Sequence, residues 1–175
     1  MTVLKGKKIS LRPVMLADAA KLFVWINNPE VTRNLNAYLP MYEKDEEEWV
    51  ANMHKRKETD LVFGITLNGV LIGVTGLHQI NQRDRTALFG IFIGEKEEWG
   101  KGYGTEVLRL IIEYAFDTLN LRKLWLHVFA SNKRGRQCYT RCGFRKEGIL
   151  KAHVYKTGQY EDVITMALFR KGSGG

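Results

Sequence analysis

The chain has 175 residues, of which 45% are hydrophobic and 26% charged, a composition typical of a single globular domain and unlike disordered, collagen-like or disulfide-scaffold proteins. Residues 1–99 hold 13 basic and 13 acidic side chains, so residues 100–175 carry the whole formal net charge of +8. A basic half predicts an acidic partner, namely a nucleic acid, an anionic membrane or a polyphosphate cofactor.

The first third of the chain carries one strand pattern and two helix patterns. Residues 8–13 alternate apolar and polar side chains, which predicts a strand. Asp18 is placed to cap a helix that stops before Pro29. Asp45 is the predicted cap of a second helix, and Glu46 to Glu48 would then lie in its first turn, where the helix dipole favours anions.

The rest of the chain predicts mainly strands, with two further helices. Asn68-Gly69 separates strand patterns over 61–67 and 70–78 and is typical of a tight hairpin, because both residues accept positive φ. The remaining predicted elements are strands over 86–94, 123–130, 144–150 and 163–169, the last two linked through Thr157-Gly158, and helices over 104–119 and 132–142.

This order of elements gives the fold class. Three antiparallel strands are followed by one strand–helix–strand crossover, which implies a locally parallel pair. We therefore predict an α/β or α+β domain: a mixed, mostly antiparallel sheet of six to seven strands with helices on both faces.

Several features bear on location and processing. No apolar run approaches the ~20 residues that span a membrane, and the polar segment from Met1 to Lys8 has no following apolar stretch, so we expect no signal peptide. Cys138 and Cys142 lack the other ligands of a zinc site, and we interpret them as reduced thiols of a cytoplasmic protein without bound metal. Residues 172–175 are interpreted as a flexible tail after a single domain over 1–171.

The richest motif is the glycine loop, Trp99-Gly100-Lys101-Gly102-Tyr103-Gly104-Thr105, between a predicted strand and a predicted helix. Alternate glycines let the backbone approach a ligand closely, and amides at a helix N-terminus bind phosphate or pyrophosphate. The alternative is a flexible connection. A Walker loop is excluded because Lys101 is followed by Gly102, and the dinucleotide fingerprint is excluded because its third glycine would come one residue later.

The loop resembles the acetyl-CoA pyrophosphate loop of the GNAT superfamily of N-acetyltransferases, Gln/Arg-x-x-Gly-x-Gly/Ala. Trp99 stands where Gln or Arg is usual, as it often does in one branch. The segment from Ser131 to Phe144 resembles the second signature of the superfamily, Ser-Asn-x-x-Ala/Ser-x-x-Leu/Val-Tyr-x-x-x-Gly-Phe. The resemblance covers nearly the whole chain and is nearest to the branch of ribosomal-protein N-terminal acetyltransferases and spermidine acetyltransferases.

The resemblance implies an acetyl-CoA-dependent N-acetyltransferase whose acceptor amine attacks the thioester directly. Its partners would be acetyl-CoA and a primary amine, with no nucleic acid and no membrane. Two strands would splay apart to admit the pantetheine arm. A catalytically silent protein that binds CoA is the alternative. Family members are often dimers, and the sequence shows no clear interface stripe.

The resemblance also implies the groups that bind the cofactor: backbone amides near Ile91 to Ile93 for the pantetheine arm, amides of the glycine loop for the pyrophosphate, and the start of the helix at 132–142. The residues assigned are Ile91, Phe92, Ile93, Trp99, Gly100, Lys101, Gly102, Tyr103, Gly104, Thr105, Asn132, Lys133, Arg134 and Arg136. Asn132 also fits a helix N-cap. Each of the three basic residues has the alternative role of a solvated surface charge.

Acetyl transfer to an amine also needs a base for the amine and an acid for the leaving thiolate. Tyr139 matches the family tyrosine that often donates this proton, and the alternative is a structural aromatic at the edge of the core. His78, whose side-chain type titrates near neutral pH, and Glu30, in a loop beside the family's acceptor cleft, are equal candidates for the base. Ordered water is a third.

The sequence leaves the acceptor open. A polyamine would need carboxylates at the cleft, and Glu30, Glu43 and Glu46 to Glu48 are available. However, Glu46 to Glu48 also have a plain role at a helix start, and His78 and Gln79 stand where a carboxylate would favour a polyamine. A protein N-terminus, a small amine, an amino sugar or an antibiotic amine therefore remains open.

Overall fold

The computed structural model describes residues 4–172. The predicted tail extends from Gly172, which lies in a turn, into residues outside this range. In chain order the elements are β1 (Leu4–Lys5), β2 (Ile9–Pro13), α1 (Ala19–Ile26), α2 (Glu43–Ala51), β3 (Leu61–Leu67), β4 (Val70–Asn81), β5 (Thr86–Ile93), α3 (Tyr103–Glu113), β6 (Lys123–Phe129), α4 (Lys133–Arg141), β7 (Arg145–Lys156) and β8 (Gln159–Phe169).

The strands form one sheet in the order β1-β2-β3-β4-β5-β6-β8-β7. Every neighbouring pair is antiparallel except β5 and β6, which α3 connects as a parallel crossover. The predicted mixed, mostly antiparallel sheet is confirmed. It has eight strands rather than six to seven, because the two-residue β1 adds a short edge that its sequence does not distinguish from a loop.

Each face of the sheet has its own core. On one face, here called the α3 face, Leu108 and Ile111 of α3 are fully buried against Leu77, Phe89 and neighbouring strand residues. On the opposite face, the α1 face, Leu22 and Trp25 of α1 pack with Val74. Because side chains alternate along a strand, Val74, Gly76 and His78 of β4 share the α1 face, whereas Leu77 points to the α3 face.

The helix boundaries differ from the predicted ones in physically clear ways. α2 begins at Glu43 with Tyr42 at its N-cap, so Asp45 lies inside the first turn and is not the cap. Asp18 occupies the N-cap position of α1, but its carboxylate accepts from Met15 N (2.8 Å) and pairs with Arg12 (2.7 Å). α3 begins at Tyr103 and continues as a π-helical turn over Tyr114–Thr118.

The closing hairpin is longer than predicted. β7 and β8 pair up to the turn at Thr157-Gly158, where both residues have positive φ (49° and 87°). The sequence pattern predicted shorter strands because residues 151–162 are mostly polar and exposed. They therefore lack the apolar alternation that marks a strand with one buried face. The hairpin at Asn68-Gly69 formed as predicted, with φ of 50° and 82°.

Glu46 of α2 gives a stability prediction, because it is only 6% exposed and burial raises the pKa of its carboxyl. Between the unfolded and folded pKa values the folded state holds the proton more tightly. Stability therefore falls as the pH rises through that window, and the loss persists above it. We expect Glu46→Gln to raise the melting temperature at neutral pH, with a gain that shrinks as the pH falls below about 4, where glutamates become protonated in both states.

Circular-dichroism melts across this pH range would measure the effect. Glu47→Gln, at an exposed position of the same helix, is the matched control and should give no comparable gain. A gain from Glu46→Gln that is the same at both ends of the pH range would contradict this role for burial.

Candidate active site

The candidate site is built around a gap between β5 and β6. The two strands pair only through Thr86–Lys123, Ala87–Leu124 and Leu88–Trp125, although β5 continues to Ile93 and β6 to Phe129. We call the space beyond Leu88 the strand gap, and the last paired residues its closed end. The five unpaired residues of β5 make it about 16 Å long, at ~3.3 Å per residue.

The unpaired edge of β5 offers backbone groups to the strand gap. Gly94 N donates to Ile72 O of β4 (2.8 Å), and backbone groups alternate in direction along a strand. Phe92 therefore turns its backbone to β4, while Ile91 and Ile93 turn theirs to the strand gap. Of these three predicted residues, only Ile91 and Ile93 therefore present their backbone to the gap. The side chain of Phe92 packs edge-to-face on Trp25 of the α1 core (6.2 Å).

The glycine loop lies at the other end of the strand gap, after the last residue of β5. Gly100 and Gly102 have φ of 76° and 86°, which only glycine adopts without strain, and Gly102 is the N-cap of α3. The amides of Tyr103, Gly104 and Thr105 lie in the first helical turn, where an α-helix supplies no carbonyl partner. With the dipole of α3 behind them, these amides form a site for an anion such as pyrophosphate.

Trp99 links this loop to both sides of the strand gap. Its indole Nε1 donates to Ile93 O (2.8 Å), and the guanidinium of Arg134 on α4 lies 5.3 Å from its ring centroid. Trp99 thus fixes the end of β5 and holds a cation next to the glycine loop. Lys101 of the same loop is paired with Glu98 (3.0 Å) and is half exposed.

α4 lies beside the strand gap on the α3 face. Asn132 caps it by accepting from Gly135 N (2.9 Å), which confirms the predicted N-cap. Thr105 Oγ1 lies 3.3 Å from Cys138 Sγ and ties α4 to the start of α3. Both cysteines are free thiols, and Cys138 is half-buried.

Tyr139 of α4 reaches the closed end of the strand gap. Its ring packs edge-to-face on Phe89, the first unpaired residue of β5 (6.2 Å), and lies 6.1 Å from Phe144. Burial, with a smaller contribution from the nearby Cys138, raises the pKa of the Tyr139 phenol, which keeps it protonated at neutral pH.

His78 lies at the same end of the strand gap but on the α1 face. It pairs with Leu88 of β5, and its ring lies 3.5 Å from the position a Cβ would take on Gly90. Its Nδ1 is 2.9 Å from Asp60 Oδ1. Burial raises the pKa of Asp60, but hydrogen bonds from Thr59 and His78 and the nearby positive charges outweigh it, so the pKa lies below its usual value. Asp60 could not be predicted from the sequence, because its contact with His78 joins residues 18 positions apart.

The loop after α1 is held in place from two directions. Glu30 accepts from Lys96 Nζ (2.8 Å), which ties the loop to the turn before Trp99. Lys156, near the tip of the β7–β8 hairpin, donates to the carbonyls of Thr32 (2.7 Å) and Leu35. Burial outweighs the attraction of Glu161 and lowers the pKa of Lys156. The contacts of Lys156 span more than 120 residues and could not be predicted from the sequence.

Lys133 and Arg136 of α4 are also exposed to a surface groove. They line this groove of about 560 Å³ with Arg141 and Arg145, and it reaches β7 and β8. Arg136 N donates to Asn132 O (3.1 Å), so both residues stay next to the start of α4. Arg134, the basic residue between them, is the one that contacts Trp99 of the glycine loop.

Residues 4–172 contain no helix long and apolar enough to cross a membrane. They also contain no group of three or more histidine, cysteine, aspartate or glutamate side chains arranged to hold a metal ion.

Comparison with known proteins identifies the family. Residues 8–145 match the model of the acetyltransferase (GNAT) domain. A spermidine N(1)-acetyltransferase of Vibrio cholerae is 32% identical over 83% of this chain and 86% of that protein, and one of Escherichia coli is 30% identical over 93% and 86%. The crystal structure of a spermidine N-acetyltransferase from Vibrio cholerae, in complex with CoA and spermine, superimposes with a TM-score of 0.85 at 30% identity, covering 93% of this chain and 95% of that one.

The chain therefore belongs to the GNAT acetyltransferase family. It is an N-acetyltransferase that uses acetyl-CoA as the acetyl donor, as the two sequence signatures predicted.

Gly102 gives a direct test of the loop. No atom lies within 4 Å of a Cβ added there, so Gly102→Ala introduces only backbone strain, roughly 1–2 kcal/mol at φ of 86°. Because relief of that strain reorients the first amides of α3, we expect acetyl-CoA affinity to fall about 10-fold, or roughly 1.4 kcal/mol. Isothermal titration with acetyl-CoA would measure this.

Gly158→Ala is the matched control, since Gly158 has nearly the same φ (87°) and equally open surroundings but lies at the β7–β8 turn. It should lose similar stability while keeping wild-type affinity. Equal affinities for the two variants would contradict the assignment of the loop.

Proposed function

We propose that the strand gap holds the pantetheine arm of acetyl-CoA and that the chemistry occurs at its closed end. The backbone amides of Ile91 and Ile93 would hydrogen-bond to the arm, and those of Tyr103 to Thr105 would bind the pyrophosphate. The free edge of β5 and the unpartnered first turn of α3 support this arrangement. Arg134, held next to the loop by Trp99, would add a positive charge for a phosphate.

The single observation that carries the chemistry is that two proton-transfer groups flank the closed end on opposite faces. Tyr139 contacts Phe89 on the α3 face, and His78 lies over Gly90 on the α1 face. His78 Nε2 would take a proton from the acceptor amine as its nitrogen bonds to the acetyl carbon. Tyr139 would give its proton to the sulfur as the carbon–sulfur bond breaks. The products are an N-acetylated amine and free CoA thiol.

Glu30 is the weaker candidate for the base. Its carboxylate is engaged by Lys96 at 2.8 Å and lies in an exposed loop, whereas a general base must be within hydrogen-bond reach of the proton it removes. We therefore assign to Glu30 and Lys96 the anchoring of the loop after α1, and to His78 the removal of the proton.

The acceptor that the geometry supports best is a compound with one primary amine, such as a small amine or a protein N-terminus. The carboxylate of Asp60, near the closed end, is already engaged by His78 and Thr59, and that of Glu30, in the loop after α1, by Lys96. A polyamine is the second candidate. The spermidine acetyltransferases among the relatives favour it, as do the exposed carboxylates of Glu43, Asp45 and Glu47 on α2.

An acceptor panel separates these candidates. Release of CoA thiol would be followed with spermidine, a short peptide with a free N-terminus, glucosamine and a simple alkylamine. We expect the peptide or the alkylamine to give the highest kcat/KM. A kcat/KM for spermidine at least 10-fold above the others would replace the first candidate with the second, and no release with any amine would contradict the proposed transfer.

The role of Tyr139 is tested by Tyr139→Phe, which keeps the ring and removes the proton. We expect kcat to fall by on the order of 10²-fold, the lower end for general acid catalysis, while the Kd for acetyl-CoA stays unchanged. Tyr114→Phe is the matched control, because Tyr114 also packs edge-to-face on a core phenylalanine, Phe63 (5.8 Å), away from the strand gap. Equal kcat values for Tyr139→Phe and the wild type would remove Tyr139 from the acid role.

A further inference from the structure

The contact between Asp60 and His78 fixes which nitrogen of the imidazole is available. Asp60 has a pKa below its usual value, because the hydrogen bonds and positive charges around it outweigh its burial, so it is an ionised carboxylate. An ionised carboxylate only accepts hydrogen bonds. His78 Nδ1, 2.9 Å from Asp60 Oδ1, must therefore carry a proton, which makes Nε2 the nitrogen whose lone pair can accept one.

Two paired glycines leave room for that free nitrogen. Gly76 of β4 and Gly90 of β5 lie opposite each other in the sheet, and His78 Nε2 is 3.0 Å and 3.5 Å from the positions of their absent Cβ atoms. Any larger residue at either position would contact the imidazole. The Nε2 edge of the ring thus lies beside the backbone of both glycines and next to Gly90, in the unpaired part of β5 where the strand gap opens.

A bulge in β4 and a turn before β3 hold Asp60 in place. The pairing of β4 with β5 shifts between His78 and Asn81, and Gln79 has a positive φ of 48° there. Beyond the bulge, Ile80 N donates to Thr59 O (2.9 Å), and Thr59 Oγ1 donates to Asp60 Oδ2 (2.8 Å). One oxygen of Asp60 is therefore held by Thr59 and the other by His78. Bulges often re-aim a side chain next to an active site.

We propose that Asp60 is a positioning residue for the transfer reaction: it holds His78 in the Nδ1–H tautomer with Nε2 directed at the closed end of the strand gap. This inference rests on the proposed role of His78 as the base. When Nε2 takes the amine proton, the imidazole becomes a cation, and the Asp60 carboxylate stabilises that charge. The proton leaves the amine as the nitrogen–carbon bond forms, and His78 later returns it to solvent.

The tautomer of His78 is measurable without any acceptor. Multiple-bond ¹H–¹⁵N correlation spectra of protein labelled at its four histidines report which ring nitrogen carries the proton, and His78→Gln identifies the His78 signals. We expect the Nδ1–H tautomer in the wild type. In Asp60→Asn the amide can also donate to Nδ1, so we expect the Nε2–H tautomer to become populated. An unchanged tautomer in Asp60→Asn overturns the proposal.

Kinetics with the best amine of the panel above give the second readout. We expect Asp60→Asn to lower kcat on the order of 10-fold, less than the ~10²-fold or greater loss for His78→Gln, with the KM for acetyl-CoA unchanged. Asp60→Glu should recover part of the loss, which a purely structural defect would not show. Glu58→Gln, an exposed carboxylate two residues away, is the charge-matched control and should match the wild type.

The two readouts separate failure of this inference from failure of the proposed base. Wild-type kcat in Asp60→Asn with a changed tautomer overturns the positioning role. Wild-type kcat in His78→Gln removes His78 as the base and overturns the inference with it. Melting temperatures of all variants, compared with that of Glu58→Gln, show whether a loss of kcat accompanies a loss of fold.

Discussion

The parting of β5 and β6 after only three paired residues is the constraint on which the rest of the site depends. A parallel pair buried on both faces normally continues its ladder, because an unpaired backbone amide away from water is costly. Here β5 is anchored to β4 along its whole length, so its other edge, from Phe89 to Ile93, is left to pair with something else. The sheet thereby presents a strand edge inside the protein, where an amide-bearing chain such as the pantetheine arm can complete the missing ladder.

The gap also explains why the chemistry can be divided between two faces. If the two strands stayed paired along their whole length, their backbones would lie between the side chains of the two faces. Where the strands part, Tyr139 on the α3 face and His78 on the α1 face can both reach the same small space. In the proposed arrangement the donor lies beside the first turns of α3 and α4, which carry the loop amides and Arg134. The acceptor would approach from the side of α1, where Lys156 and Lys96 hold the loop after α1.

The sequence predicted what local pattern can encode and missed what long-range contacts decide. The glycine loop, the Asn132 cap and the crossover follow from spacing, and they were found. Which basic residue of α4 contacts the loop could not be predicted, because adjacent helix positions point in different directions; in the structure Arg134 lies over Trp99, and Lys133 and Arg136 line a surface groove. Asp60 was missed because its relation to His78 depends on a bulge in β4 and a turn before β3.

The distribution of charge now has a structural reason. The +8 of residues 100–175 does not converge on one point. Arg134 lies at the glycine loop, and Lys156 donates its hydrogen bonds to backbone carbonyls. The groove beside α4 is lined by Lys133, Arg136, Arg141 and Arg145. The positive charge is therefore spread over several positions, and in the proposed arrangement the amides of the loop and of β5 provide the directional contacts with the donor. Residues 1–99 carry no net charge, and Asp18, Glu95 and Glu30 are each paired with a lysine or arginine of the same part of the chain. In the proposed mechanism, selection of the amine depends on its fit at the closed end of the strand gap, where its nitrogen has to come within hydrogen-bond reach of His78.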